Sequence, residues 1–317
     1  MENEKMNEEI IRRAVVTGAT GAVGMALVKE LVGRGIEVLA LCRTGSGRAK
    51  RLSDIEGVEI EECSLENLDT AGKGCRKPYD AFFHLAWQGT TGEARNDAYL
   101  QNENVRYALD AVSAAKRFGC KVFVGAGSQA EYGRAQQPLA ADTPAFPENG
   151  YGIAKLCAGQ LTRLLANRLG MRQVWARILS VYGPYDGENS MVMSAITALL
   201  EGRIPKFTAG EQLWDYLYSE DAARALLLMA ERGRDGGVYP LGCGQARPLK
   251  EYISAIREAV DENAEVAIGA VPYPSGQVMN LAADISALKK ETGWTPRVPF
   301  EEGIQTTVTW VKNLRNA

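Results

Sequence analysis

The sequence predicts an α/β protein: a doubly wound parallel sheet followed by a smaller carboxyl-terminal α/β lobe. Three observations carry this. The apolar run Ala14-Val15-Val16 leads through a glycine-rich turn into a helical pattern. Apolar strands and amphipathic helices then alternate as far as residue 178, and such alternation joins parallel strands by crossover helices. After Tyr182-Gly183-Pro184 the rhythm breaks, with shorter strands separated by Gly and Pro turns.

The first turn reads Thr17-Gly18-Ala19-Thr20-Gly21-Ala22-Val23-Gly24. Val23, Leu27 and Leu31 recur at four-residue steps behind it, Lys29, Glu30 and Arg34 lie between them, and Gly33 and Gly35 stop the helix. Strand, glycine turn and helix N-terminus in that order aim backbone N–H groups and the positive helix end at an anion. Gly18 permits the tight turn, Gly21 lets a pyrophosphate approach the backbone, and Gly24 lets helix and strand pack closely. The turn from Gly18 through Thr20, Gly21, Ala22 and Val23 is therefore expected to hold a dinucleotide, in a Rossmann-type sheet. The second strand, 36–41, ends not on the acidic residue that binds the adenosine ribose hydroxyls in such folds but on Cys42 and Arg43. A missing carboxylate beside a guanidinium favours a 2′-phosphate, hence NADP over NAD, with Arg48, Lys50 and Arg51 adding to the field. The other reading of Arg43 is a solvated loop residue.

Residues 1–13 read as a solvated arm. Strands are expected at 58–62 and at Ala81-Phe82-Phe83-His84-Leu85-Ala86, with His84 packed rather than catalytic and Trp87 and Gln88 at the carboxyl end, where ligands of parallel sheets lie. A long helical stretch over 94–118 precedes a strand at 120–126 that ends on Gly127-Ser128. A Gly- and Pro-rich loop spans 133–150, a helix 151–169 and a strand 173–178. Helices follow near 190–202, 219–232, 248–261 and 302–315. The division expected is a dinucleotide-binding domain with the catalytic residues over 1–180 and a mainly substrate-binding lobe over 181–317.

Composition removes several function classes. The chain of 317 residues is 46% hydrophobic and 24% charged, with net charge −3, so no basic surface points to nucleic acid. No run approaches a membrane span and no apolar leader segment is visible, which gives the expectation of a cytoplasmic protein with reduced, packed thiols. The six cysteines form no C-x-x-C pair, and the single histidine excludes a histidine-rich metal site. No metal is expected.

Tyr151 and Lys155 are four apart and share a helix face. A phenol titrates near ~10, too high for neutral-pH proton exchange, and a neighbouring ammonium favours phenolate. Ser128, at the end of the fifth strand, adds a hydroxyl beside the expected nicotinamide position. The three then suit one alcohol or ketone: serine holds the oxygen, tyrosine exchanges the proton and the cofactor exchanges hydride.

With these residues in hand, the chain resembles the extended short-chain dehydrogenase/reductases of the nucleotide-sugar epimerase/dehydratase group. The resemblance spans almost the whole chain and includes His84-Leu85-Ala86, Asn104-Val105, Tyr132-Gly133, Arg177 with Val181-Tyr182-Gly183-Pro184, Asp215-Tyr216 with Asp221 and Ala225, and Gly293-Trp294-x-Pro296. It implies Ser128, Tyr151 and Lys155 as the catalytic trio. It also implies Leu85, Ala86, Asn104, Tyr151 and Lys155 beside the cofactor, a sugar-nucleotide substrate near Trp87, Gln129, Ser180 and Trp214, and a homodimer built on the helices at 94–118 and 151–169.

Departures narrow the reaction. The 4,6-dehydratases of this group carry Thr-Asp-Glu where this chain has Ser128-Gln129-Ala130, so the acid–base pair for water loss is missing. Tyr182-Gly183-Pro184-x-Asp186-Gly187-Glu188-Asn189 resembles CDP-abequose synthases, which reduce a 4-keto sugar nucleotide. Trp214 stands where the group usually has a diphosphate-clamping arginine, a second such arginine expected around 273–278 is absent, and Ser180 replaces a frequent Asn. Arg203, Lys206 and Arg247 are the candidate replacement cations. The leading expectation is reduction of a 4-keto sugar nucleotide. The alternatives are an NAD-dependent 4-epimerase, a ketone reductase acting on a non-nucleotide substrate, and a non-catalytic NADP-sensing regulator.

Overall fold

The computed structural model describes residues 10–316 and centres on a seven-stranded, all-parallel sheet. The first half alternates as expected: β1 (Arg13–Thr17), α1 (Ala22–Gly33), β2 (Glu37–Cys42), β3 (Val58–Glu62), β4 (Ala81–His84), α2 (Ala98–Arg117), β5 (Val122–Ser128), α3 (Gly150–Arg168) and β6 (Arg172–Ile178). Of the arm expected over 1–13, residues 1–9 lie outside the described residues, Ile11 is packed in the core and Arg13 already belongs to β1. The helical stretch expected from 94 is broken by a single tight turn, Glu93–Asn96. Asp97 then caps α2, its Oδ1 accepting the N–H groups of Tyr99 and Leu100 at 3.1 Å.

The second half adds β7 (Ser180–Tyr182), α4 (Met191–Leu200), β8 (Leu213–Trp214), β9 (Tyr216–Tyr218), α5 (Ser219–Arg232), β10 (Gly237–Leu241), β11 (Arg247–Pro248), α6 (Leu249–Val260), β12 (Asn280–Leu281), α7 (Ser286–Thr292) and α8 (Phe300–Asn316). The large sheet runs β3-β2-β1-β4-β5-β6-β10. The order reverses between β1 and β4, and the crevice outside the carboxyl ends there is where ligands of doubly wound sheets bind. The register sets Thr17 beside Leu41 and His84, and Ser128 beside Ile178.

Successive strand residues face opposite layers, as the pleat requires. Val16 and Phe83 pack with α1 and α5 into one core, while Val15 and Phe82 pack with Ala111, Val112 and Phe123 into the other. Because β10 joins β6 and α5 lies against α1, the packing does not divide at residue 180: residues 219–241 complete the large sheet and its first helical layer. The smaller lobe keeps its own core, with Tyr182, Tyr218, Tyr252, Ile253, Phe300 and Ile304 between α4, α6 and α8. Its short sheet runs β11-β8-β12, and β7 pairs β9 alone. Among the described residues no helix is long and apolar enough to cross a membrane.

Candidate active site

The site begins with the glycine turn. Gly18 adopts φ +72°, and a Cβ there would stand 2.7 Å from the Ala86 nitrogen. A Cβ on Gly24 would meet the Gly18 carbonyl oxygen at 2.1 Å. Both positions need glycine for contact between β1, α1 and the segment after β4. Gly21 differs: a Cβ there meets nothing closer than 3.8 Å, so its missing side chain leaves open space in front of the helix. Gly21 is also the N-cap of α1, gives no side-chain cap, and the first turn carries no acidic residue. The N–H groups of Ala22 and Val23 thus sit at an uncapped positive helix end, and the turn fits a dinucleotide pyrophosphate. Arg51 braces the turn by donating to the Thr20 carbonyl at 3.1 Å.

At the next strand end Cys42 is buried and Arg43 exposed, with no hydrogen-bond partner for the Arg43 side chain among the described residues. Arg43 is close enough to Glu66 to help hold that carboxyl below its usual range, after the Glu66 and Gln88 hydrogen bonds that dominate the effect. Leu85 and Ala86 lie directly over Gly18. Asn104 is buried and its amide is committed: Oδ1 accepts the Gln88 N–H at 2.9 Å, and Nδ2 donates to the Gln88 and Leu100 carbonyls. It fixes the loop that carries Trp87.

The chemistry converges where β5 meets α3. Ser128 closes β5 and caps the turn 129–131, its hydroxyl accepting the Ala130 N–H at 3.2 Å. Asn149 caps α3 through Gly152 at 2.8 Å, which sets Tyr151 in the first helical turn and Lys155 one turn on. Burial, and to a smaller extent the Glu131 carboxylate, push the Tyr151 phenol up, while a hydrogen bond with Ser128 and the Arg95 guanidinium pull it down. Arg95 lies 4.4 Å from the centre of the Tyr151 ring, closer than Lys155 Nζ at 5.8 Å. Lys155 is 3% exposed and donates to the Ala126 carbonyl at 2.6 Å. Its ammonium also sits 3.8 Å from the centre of the Trp87 ring. Burial brings its pKa down to about 7, against the upward pull of Glu131. Trp87 meets Tyr151 edge to face at 6.2 Å and is held by Gln101 through its indole N–H at 2.9 Å.

The structure therefore brings Ser128, Tyr151, Lys155 and Trp87 together, with the half-buried Gln129 beside them. It also adds two residues that no spacing signals. One is Arg95. The other is Glu131, fully buried, whose carboxylate accepts from the Ser128 N–H (2.8 Å), the Trp175 indole (3.0 Å) and Arg177 Nε (2.7 Å). A carboxylate in a tight turn reads as solvated until its tertiary neighbours are known.

On the lobe side Ser180 and Trp214 form one unit: the indole N–H donates to the Ser180 hydroxyl at 2.8 Å. Of the three candidate cations, Arg247 stands directly opposite Trp214 in the β11–β8 pair. Directly opposed residues of an antiparallel pair share a sheet face. Arg247 is itself paired with Glu301 at 2.8 Å and lies over the Tyr252 ring; Arg203 is held by Glu201, and Lys206 lies in a separate bridge with Ala267. A cavity of about 670 Å³ runs from Gly21 and Ala22 past Tyr185 to α4 and α8, without touching the catalytic trio. Among the described residues no group of three His, Cys, Asp or Glu side chains could hold a metal ion.

The profile of the NAD dependent epimerase/dehydratase family matches residues 14–242. The chain belongs to this family. Relatives align over nearly all of it. A dTDP-glucose 4,6-dehydratase of Streptomyces griseus is 27% identical over 95% of this chain and 94% of its own. A UDP-glucose 4-epimerase of Mycolicibacterium smegmatis is 27% identical over 95% and 99%. Among solved structures, a UDP-N-acetylglucosamine 4-epimerase from Methanobrevibacter ruminantium, in complex with UDP-N-acetylmuramic acid, superposes with a TM-score of 0.87 at 25% identity, covering 96% and 100%. The protein is thus an enzyme of the extended short-chain dehydrogenase/reductase, epimerase/dehydratase type, and the reading as a non-catalytic regulator falls away.

Proposed function

We propose that the enzyme reduces a 4-keto nucleotide sugar with NADPH. One observation carries the reading: the site holds a single group suited to proton exchange with substrate, Tyr151. Gln129 and Ala130 follow Ser128 in the turn, and the one carboxylate there, Glu131, is buried with its oxygens committed to Ser128, Trp175 and Arg177. Such a site serves hydride and proton exchange at one carbon and lacks the extra acid and base that water loss needs.

Bound along the carboxyl edge of the sheet, a nicotinamide dinucleotide supplies the hydride. The chain does the rest. Ser128 donates to the carbonyl oxygen and polarises it, and Tyr151 gives that oxygen its proton. Arg95 over the ring and the hydrogen bond with Ser128 pull the phenol toward acidity against its burial, with the Lys155 ammonium one helical turn on. Arg43, exposed behind the buried Cys42, is the reason to prefer NADP. Trp214 with Ser180 forms the floor for the nucleotide sugar, and Arg247 across from Trp214 offers charge to its phosphates. The exposed side chains of Tyr99 on α2 and of Ile153, Leu161 and Leu164 on α3 support a homodimer through these helices.

A second reading, 4-epimerisation on the same trio, is favoured by the epimerases among the relatives. Epimerisation needs a retained NAD that recycles within each turnover. Denaturing freshly purified enzyme and identifying the released dinucleotide separates the two. The proposal expects little retained NAD and tighter binding of NADPH than of NADH. Stoichiometric NAD that survives dialysis overturns it in favour of the epimerase.

A further inference from the structure

Glu131 has no place in the proton exchange, yet it is the most heavily bonded acid near the trio. It is 0% exposed and receives three hydrogen bonds from three different residues. Its side chain reaches back to the N–H of Ser128 while the Ser128 hydroxyl caps the same turn, so the two residues form a reciprocal capping box. Arg177 on β6 is its counter-ion, 5% exposed, with the guanidinium also 4.3 Å from the centre of the Tyr132 ring.

A buried ion pair is a poor device for stability alone, because desolvation offsets much of the attraction and apolar residues of similar volume serve as well. Its place suggests its use. We propose that Glu131 is a positioning residue of the catalytic trio: it fixes the Ser128 turn from behind and supplies the anionic charge that faces Lys155. This rests on the trio acting as proposed above.

The groups around Lys155 are few. His84 on β4 is buried and neutral, Trp87 offers its ring, Ala126 on β5 its carbonyl, and Tyr151 lies on the same helix. Glu131 is the acid at the same end of β5: it accepts from the Ser128 N–H while Lys155 donates to the Ala126 carbonyl two residues before, and Arg177 holds its far oxygen. Burial alone drives Lys155 toward the neutral amine, and Glu131 opposes it. A neutral amine loses the charge and one of the three donors with which Lys155 is held at the Ala126 carbonyl.

The test uses the full-length enzyme with Glu131→Gln, which keeps an acceptor for the Ser128 N–H and removes the charge. The readout is the titration midpoint of Lys155, followed by nitrogen NMR of the lysine side chains and assigned with Lys155→Met. The midpoint is expected to fall below that of the wild type. The alkaline limb of the pH–kcat profile is expected to move to lower pH in parallel, with kcat down roughly ten-fold and KM changed less than about two-fold. Should Glu131→Gln not fold, Glu131→Leu with Arg177→Met removes both charges and keeps an apolar filling. A Lys155 midpoint and pH profile equal to wild type in either variant overturn the proposal and leave Glu131 a purely structural acid. Failure of the underlying reading looks different: Tyr151→Phe would then retain turnover, whatever Glu131 does.

Discussion

His84 sits in β4 with its Nδ1 2.9 Å from the Thr17 hydroxyl, and that hydroxyl accepts the Ala86 N–H at 3.3 Å. Which of the two supplies the hydrogen depends on the ring tautomer, and Nε2 has no partner among the described residues. Burial first, and Lys155 second, lower the His84 pKa from 6.5 to about 3. Between those values the unfolded chain binds the extra proton and the folded chain does not. The stability contributed by neutral His84 is thus fully present above 6.5 and is lost as pH falls toward 3. Replacing His84 with Gln should flatten the acid side of the stability curve, read as the urea midpoint against pH. An equally steep acid limb in the variant would contradict this. Residue by residue, the sequence discloses Ser128, Tyr151 and Lys155 because their spacing carries the chemistry. Arg95 and Glu131 act through tertiary contact alone and leave no local signal, and Asn104 works on the site through the Gln88 backbone rather than with a free amide.

Among the elements, the junction of β1 and α1 is the most constrained. Gly24→Ala places a methyl group 2.1 Å from the Gly18 carbonyl oxygen, a backbone atom that cannot move without opening the turn. The variant should lose about 1–3 kcal/mol of stability, with dinucleotide affinity weakened at least ten-fold; a wild-type urea midpoint and affinity would refute the packing argument. The six strands β1–β6 were legible within two residues, helped by the apolar runs of β1, β4 and β5 buried on both faces, while the short strands of the second half were not placed. β10 was not, because Pro240 in a five-residue run argues against a central strand. Its edge position beside β6 tolerates that proline. α7 is seven residues long, too short for a helical period to stand out. The Ser180–Trp214 pair shows two sequence departures to be one local change, and Arg247 opposite is the prediction that follows. Arg247→Ala should raise KM for the nucleotide sugar roughly ten-fold with kcat little changed, by steady-state kinetics. A fall in kcat at unchanged KM would move Arg247 away from phosphate binding.

At the scale of the whole molecule, the dinucleotide layer and the lobe are laced together, since α5 and β10 return from the second half to close the first core. Of the exposed apolar side chains, Tyr99 lies on α2 and Ile153, Leu161 and Leu164 share α3, with Leu164 63% and Ile153 56% exposed. By analytical ultracentrifugation the wild type is expected to sediment as a dimer and Ile153→Glu with Leu164→Glu as a monomer. A dimer that persists would place the interface elsewhere. The central claim is that this fold brings one proton-exchanging group, Tyr151, to a nucleotide sugar for net reduction. The most direct measurement is NADPH absorbance during incubation with a nucleoside-diphosphate 4-keto sugar, in the wild type and in Tyr151→Phe. The account predicts one NADPH consumed for each 4-hydroxy product, slowed by roughly 10²–10⁴ in Tyr151→Phe. Interconversion of C4 epimers with no NADPH consumed, by enzyme that keeps its own NAD, would contradict it.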